Sequence, residues 1–176
     1  MKVEVSRYVS YLLRHNPQDL DMDEEGFVEL DELVSKVRRR FPEADRKLLT
    51  EIVNQSERKR FKLAGEKIRA LYGHTVPVHV KFIEDKQIEW LYHGTTPQAA
   101  CQILEKGLQP MSRRWVHLSP TEETAREVGK RRTSNPVVLM IDASEARNRG
   151  IRFYRATYKV YVCKYVPAKY FKTTHA

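Results

Sequence analysis

The run Arg60-Phe61-Lys62-Leu63-Ala64-Gly65-Glu66-Lys67-Ile68-Arg69-Ala70 decides how the first half of the chain folds. Its two arms alternate in character on either side of Gly65, the pattern of a short β-hairpin. Upstream, Val5, Tyr8, Val9, Leu12 and Leu13 recur at helical spacing with one apolar face. Pro17 pushes Asn16 away from helical angles, so that helix ends near Arg14-His15. Asp19 to Gly26 is acidic and is expected to be a loop. Asp31 is placed to cap a second helix carrying Leu33, Val34, Val37 and Phe41, which Pro42 stops. Asp45 is placed to cap a third, carrying Leu48, Leu49, Ile52 and Val53. Three helices followed by a hairpin predict a winged-helix lobe, a fold whose usual role, by analogy alone, is nucleic-acid binding.

Downstream the periods change. Gly73 to Pro77 has the composition of a boundary, which divides the chain into lobes at 1–75 and 76–176. Trp90-Leu91-Tyr92-His93 predicts a buried strand. Thr96 caps the next helix, Pro97 takes its first position, and Gly107 stops it. Trp115-Val116-His117-Leu118 is a second strand. Ser119-Pro120-Thr121-Glu122 follows as a capping box with Pro120 at the first helical position, and its helix runs to about Lys130. Val137 to Ile141 and Tyr158 to Cys163 are further strands. The fold class expected is α+β: a winged-helix lobe, then a mixed lobe with at least four strands.

Charge separates the halves as well. The net charge is +9, with 15 Lys+Arg against 14 Asp+Glu in residues 1–75 and 17 against 9 in residues 76–176. The cationic second half attracts polyphosphates, nucleic acid or an anionic membrane, and charge alone does not choose among them. No apolar run approaches bilayer length, and the N-terminus lacks the apolar core of a signal peptide. The two cysteines, Cys101 and Cys163, form no C-x-x-C pair, which suits a reducing cytoplasm and speaks against a cysteine-based zinc site. With no unassigned apolar stripe, a monomer is expected.

Four short motifs carry chemical interest. Arg14-His15-Asn16-Pro17 sets a cation beside a titratable imidazole, fit to hold a phosphate and move a proton. Taken alone, compensation of a helix C-terminus explains it better. Ile68-Arg69-Ala70, followed by Gly73-His74, points Arg69 opposite to its apolar neighbours; a solvated arginine on the outer face of a wing is the ordinary alternative. His93-Gly94-Thr95 stands where a strand turns toward a helix. There Gly94 admits a ligand close to the backbone, and Thr95 with the helix N-terminus offers donors to phosphate or ribose. His117-Leu118-Ser119 repeats that placement, and a satisfied core histidine is the commoner reading of it.

The order of these pieces carries more than any one of them. Leu12-Leu13-Arg14-His15, Arg60-Phe61, Ile68-Arg69-Ala70, Gly73-His74, Leu91-Tyr92-His93-Gly94-Thr95, Val116-His117-Leu118-Ser119, Val128-Gly129-Lys130-Arg131, Pro136-Val137-Val138-Leu139, Phe153-Tyr154 and Val166-Pro167-Ala168-Lys169-Tyr170 follow one another along essentially the whole chain. In that order the sequence closely resembles the RNA 2′-phosphotransferase family. The resemblance implies a winged-helix lobe followed by an ADP-ribosyltransferase-like lobe that binds NAD as a consumed co-substrate. It implies a catalytic set of Arg14, His15, Arg69 and, by the V-G-x-R match, Arg131, with Arg132 beside it. It implies NAD contacts at His93, Gly94, Thr95, His117, Leu118 and Ser119. The sequence departs from the family in having Tyr72 where relatives often have Gln. It also has Arg131-Arg132-Thr133-Ser134-Asn135 where relatives are shorter.

The implied reaction moves an internal 2′-phosphate of RNA, as in spliced tRNA, onto NAD. It frees nicotinamide, 2′-hydroxyl RNA and ADP-ribose 1″,2″-cyclic phosphate. A dianionic nucleophile on a polyanion calls for arginines, whose planar forks hold phosphate oxygens in pairs where lysine supplies charge alone. Arg132, Arg152 and Arg155 are candidates for substrate-phosphate contacts, as are Arg113, Arg114, Arg147 and Arg149; for each, a solvated surface arginine is the alternative. The chain has no G-x-G-x-x-G turn and no cluster with metal-ligand spacing. Two rival readings stand beside this one: an ADP-ribosyltransferase capping RNA or DNA 5′-phosphates, and a nucleic-acid-binding module without catalysis. A protein-modifying ADP-ribosyltransferase is disfavoured by the absence of a glutamate in the third motif.

Overall fold

A computed structural model describes residues 1–57 and 59–172. The chain divides into two compact units, Met1–Lys81 and Phe82–Ala176. The first reaches beyond Gly73–Pro77 because that segment is bound to its own unit. The Thr75 and Val76 amides donate to the Arg14 carbonyl, the His79 amide donates to that of Glu24, and Val78 is buried.

The first unit opens with α1 (Lys2–Arg14), whose stripe Val5, Val9, Leu12 and Leu13 is fully withdrawn from solvent. A two-residue strand β1 (Val28–Glu29) leads into α2 (Leu30–Arg38), and α3 (Arg46–Gln55) follows. Asp45 caps α3 as expected, its carboxylate accepting the Leu48 amide at 2.7 Å. The expected cap of α2 is displaced. Glu29 holds the N-cap position without a side-chain bond, and Asp31 lies inside the first turn, favourably placed against the helix dipole. Phe41 lies past the end of that helix. The hairpin is β2 (Phe61–Ala64) and β3 (Lys67–Ala70), paired Phe61 with Ala70 and Ala64 with Lys67. β3 also pairs with β1, Val28 opposite Ile68, so the sheet order is β1-β3-β2 and Arg69 lies on the central strand. Ile68, Leu12, Leu33, Leu49 and their neighbours form one core.

The second unit holds two antiparallel sheets. One has the order β10 (Phe171–Lys172), β7 (Val137–Asp142), β5 (Trp90–Thr95). The other has the order β4 (Ile83–Glu84), β8 (Tyr154–Thr157), β9 (Val160–Cys163), β6 (Val116–Leu118). The strand expected over Tyr158 to Cys163 is thus the second arm of a hairpin that turns at Tyr158-Lys159. α4 (Pro97–Lys106) has the expected Thr96 cap and Gly107 stop. α5 (Glu122–Gly129) is capped by Thr121 rather than Ser119, so Pro120 precedes the helix instead of opening it. Ser119 is otherwise engaged: its amide and carbonyl pair with those of Tyr92, both at 2.8 Å, joining the end of β6 to β5. A sixth helix, α6 (Ala143–Asn148), is capped by Asp142. Leu91, Leu118, Ile141, Phe153 and Val166 centre the core.

Among the described residues no helix is long and apolar enough to cross a membrane.

Candidate active site

In the first unit, α1 delivers Arg14 and His15 to its C-terminal end. The carbonyl of Arg14 accepts the Thr75 amide at 2.9 Å and the Thr75 hydroxyl at 3.3 Å. With its proton committed there, the Thr75 oxygen is left to accept from His15 Nδ1 at 3.1 Å, which orients the imidazole. The guanidinium of Arg14 lies over the Tyr72 ring, 4.8 Å from its centroid. Gly73 has φ +87°, a left-handed turn that a side chain would strain, and its Cα side sits against the Arg14 guanidinium.

Arg69 does not fit the alternative of a solvated wing arginine. Its side chain is only 8% exposed, with Glu25 and Phe27 of the loop before β1 packed against it. A charge at that depth needs partners. Nη1 donates to the Glu25 carbonyl at 3.1 Å and lies 3.3 Å from the Glu25 carboxylate, and Cζ stands 4.6 Å from the Phe27 ring centroid. Nε of Arg69 is buried with no hydrogen-bond partner among the described residues. The same loop passes beside buried His74, whose Nε2 would lie 3.6 Å from a Cβ placed on Gly26. Loop 23–27 and segment 72–76 therefore gather Arg14, His15, Arg69 and His74 into one neighbourhood of this unit.

In the second unit a cleft of about 530 Å³ opens beside β5 and β6. His93, Thr95, His117, Arg113, Trp115 and Arg132 are among its lining residues. Two of the sequence motifs thus meet, because the Tyr92–Ser119 bridge brings the strand ends together. His93 Nδ1 lies 3.1 Å from the His117 carbonyl. A carbonyl only accepts, so Nδ1 carries the proton and Nε2 of the neutral ring is an acceptor. Burial holds the His93 pKa below its ordinary value of 6.5, against the pull of the His117 carbonyl, and the nearby charges of Arg132 and Arg113 lower it further.

Other expectations change place. Gly94 has a structural part as well. It lets α5 pack directly on β5, and a Cβ there would stand 1.7 Å from the Ala125 carbonyl oxygen. Leu118 belongs to the core, and buried Ser119 serves the strand bridge. Arg132 lines the cleft and Arg131 does not, although both are exposed on the turn after α5. Exposed Arg152 and Arg155 lie outside the cleft lining, Arg155 on β8 opposite Ile83. Arg147 is structural: its Nη1 donates to the Ile88 carbonyl at 2.6 Å. The sequence reading passed over Glu25 and Phe27, whose one local signal is an aromatic residue closing an acidic loop at Gly26. It also passed over Trp115, which touches the cleft while Lys164 Nζ sits 3.5 Å from its ring centroid.

The family model described as "RNA 2′-phosphotransferase, Tpt1 / KptA family" matches residues 1–165. The chain belongs to the RNA 2′-phosphotransferase family. It is 43% identical over 169 residues to a probable RNA 2′-phosphotransferase of Pyrococcus horikoshii, covering 95% of this chain and 96% of that one. It is 41% identical over 174 residues to probable RNA 2′-phosphotransferase 1 of Archaeoglobus fulgidus, covering 97% and 81%. With the probable RNA 2′-phosphotransferase of Acetivibrio thermocellus it shares 39% over 173 residues, covering 96% and 95%. RNA 2′-phosphotransferases are transferases, so the family is one of enzymes.

Proposed function

We propose that the chain transfers the internal 2′-phosphate of an RNA, such as a spliced tRNA, to NAD, releasing nicotinamide, RNA with a free 2′-hydroxyl and ADP-ribose 1″,2″-cyclic phosphate. The observation that carries this reading is the cleft in the second unit. Its apolar wall suits an aromatic ring, Arg113 and Arg132 suit a pyrophosphate, and the pair His93 and His117 offers polar groups to ribose hydroxyls. NAD, when bound, supplies a ribose carbon activated by its nicotinamide leaving group.

The residues of this chain divide the remaining work. Arg14 and Arg69 hold and orient the 2′-phosphate, neutralising an anion that would otherwise be repelled by its own RNA backbone. They go on to stabilise negative charge that builds at phosphorus. His15, with Nδ1 tied to Thr75, presents Nε2 to accept the proton of an attacking hydroxyl and return it to the departing RNA oxygen. Neutral His93 uses Nε2 to accept from a ribose hydroxyl, and Thr95 and His117 complete that wall. Arg131 acts on the phosphate, and Arg132 on the pyrophosphate. Arg152 and Arg155, exposed and cationic, support the RNA backbone at longer range. In this reading the first unit is a winged-helix RNA-binding lobe, supported by three helices and a three-stranded sheet. The second is an ADP-ribosyltransferase-like lobe. Two free cysteines suit action as a monomer in a reducing cytoplasm.

The test is to incubate the purified protein with an RNA carrying one internal 2′-phosphate, with and without NAD, and to weigh all products by mass spectrometry. The phosphate is expected to leave the RNA only with NAD, together with ADP-ribose cyclic phosphate. Arg69→Ala and Arg131→Ala are expected to lower turnover roughly 10²–10³-fold, while Arg132→Ala weakens NAD binding instead. RNA that stays unchanged although NAD binds overturns the proposal, and ADP-ribosylation of RNA 5′-phosphates becomes the reaction to try.

A further inference from the structure

Two arginines of the first unit share a feature that the proposed reaction does not require of them. Each lays its guanidinium on an aromatic face: Arg14 on Tyr72 at 4.8 Å, and Arg69 on Phe27 at 4.6 Å. The two pairs are built from unrelated segments. Tyr72 is brought to the end of α1 by the left-handed turn at Gly73 and by the Thr75 and Val76 bonds to the Arg14 carbonyl. Phe27 is carried under β3 by the turn 23–27, whose Asp23 carboxylate accepts the Glu25 and Phe27 amides at 3.0 and 2.9 Å.

We infer that Tyr72 and Phe27 are positioning residues, aromatic seats that hold the two guanidinium planes for a phosphate without occupying their N–H donors. The physical reason lies in where the donors point. A carboxylate or amide partner fixes an arginine by taking its in-plane hydrogen bonds, the bonds a phosphate needs. A ring fixes the same cation from above the plane, through its quadrupole, and leaves the edge available. Arg69 shows the difference within one side chain. Glu25 takes Nη1 at one end of the fork, Phe27 covers the face, and buried Nε remains without a hydrogen-bond partner among the described residues.

The inference rests on the phosphate-holding role given to Arg14 and Arg69, and the experiment separates the two. Binding is measured for an RNA with one internal 2′-phosphate and for the same RNA without it, using wild-type protein, Tyr72→Leu, Phe27→Leu, Tyr72→Phe and Phe27→Tyr. Leu keeps apolar volume and removes the ring; Phe and Tyr keep the ring. Each Leu variant is expected to weaken binding of the phosphorylated RNA roughly 2- to 30-fold, to leave the unphosphorylated RNA unaffected, and to melt as a folded protein. The ring-keeping variants are expected to bind as wild type does. In the free protein, ring currents hold the Arg14 and Arg69 side-chain proton resonances upfield, and each Leu variant is expected to release its own arginine. Wild-type protein that binds the two RNAs equally overturns the phosphate-holding role and the inference with it. Wild-type discrimination that survives both Leu variants, or that Tyr72→Phe and Phe27→Tyr lose as fully as Leu does, overturns the inference alone.

Discussion

The two units of this chain place charge in opposite ways. In the first, cations are built into the fold: Arg69 is buried on a central strand, and Arg14 is tied through its own carbonyl to a segment sixty residues away. In the second, the half-buried His93 beside the cleft has its pKa held down, which favours the neutral ring, and the cations near it, Arg113 and Arg132, stand on exposed turns. Desolvation explains the contrast. Arginine does not shed its proton at any ordinary pH, so an interior arginine must be given a carboxylate, a carbonyl or a ring. Histidine escapes the same penalty by losing its charge. The lesson is that a cation fixed in the interior and a histidine that can shed its charge meet the same cost of burial in different ways.

The comparison breaks most severely at Gly94. A methyl group there meets the Ala125 carbonyl oxygen at 1.7 Å, backbone against backbone, and no rotamer relieves it. Gly94→Ala is expected to destabilise the protein by roughly 4 kcal/mol or more, or to leave it insoluble, as thermal melting will show. Near-normal melting means that α5 is free to retreat from β5, and that the cleft wall is softer than this packing implies.

A finer break exchanges arginine for lysine in each unit. Lysine keeps the charge and loses the planar fork and the stacking face. Arg69→Lys is expected to lose roughly 10²-fold in turnover, because its seat and its geometry are both fixed. Arg132→Lys, on an exposed turn where charge is what matters, is expected to stay within about threefold of wild type. Equal losses at the two positions remove the distinction between a built-in cation and a mobile one.

The smallest effect is one of pH. The folded state holds the His93 pKa below 6.5, so between the two values the unfolded chain binds more protons than the folded one. Stability is therefore complete above the ordinary histidine value and falls as pH drops below it. Thermal midpoints measured between about pH 7.5 and 5.5 should decline more steeply for wild type than for His93→Asn, which keeps a donor and cannot titrate there. Identical slopes place the burial penalty elsewhere.

Some of this was legible in the chain. The stripe in α1, the Asp45 and Thr96 caps, and Gly107 are local signals, each interpretable within a turn or two. The two-residue strands β1, β4 and β10 have no such signal, because they exist only through partners far along the chain: Val28 opposite Ile68, Ile83 opposite Arg155, Phe171 opposite Ile141. The capping box at Ser119 failed for the same reason. A long-range pairing with Tyr92 claimed its backbone, and the helix began two residues later at a residue able to cap equally well.

The sequence by itself determined the helices α1 to α5, the order of the motifs and the family, since these depend on local periodicity and on residue identity; α6, a short helix capped by Asp142, was not among them. Which arginine is buried, what it rests on, and how closely α5 packs on Gly94 were decided only by the tertiary structure. The reason is that burial is a property of what arrives from elsewhere. Arg69 is interior because Glu25 and Phe27 of the loop before β1 pack against it, and nothing within ten residues of Arg69 announces their arrival.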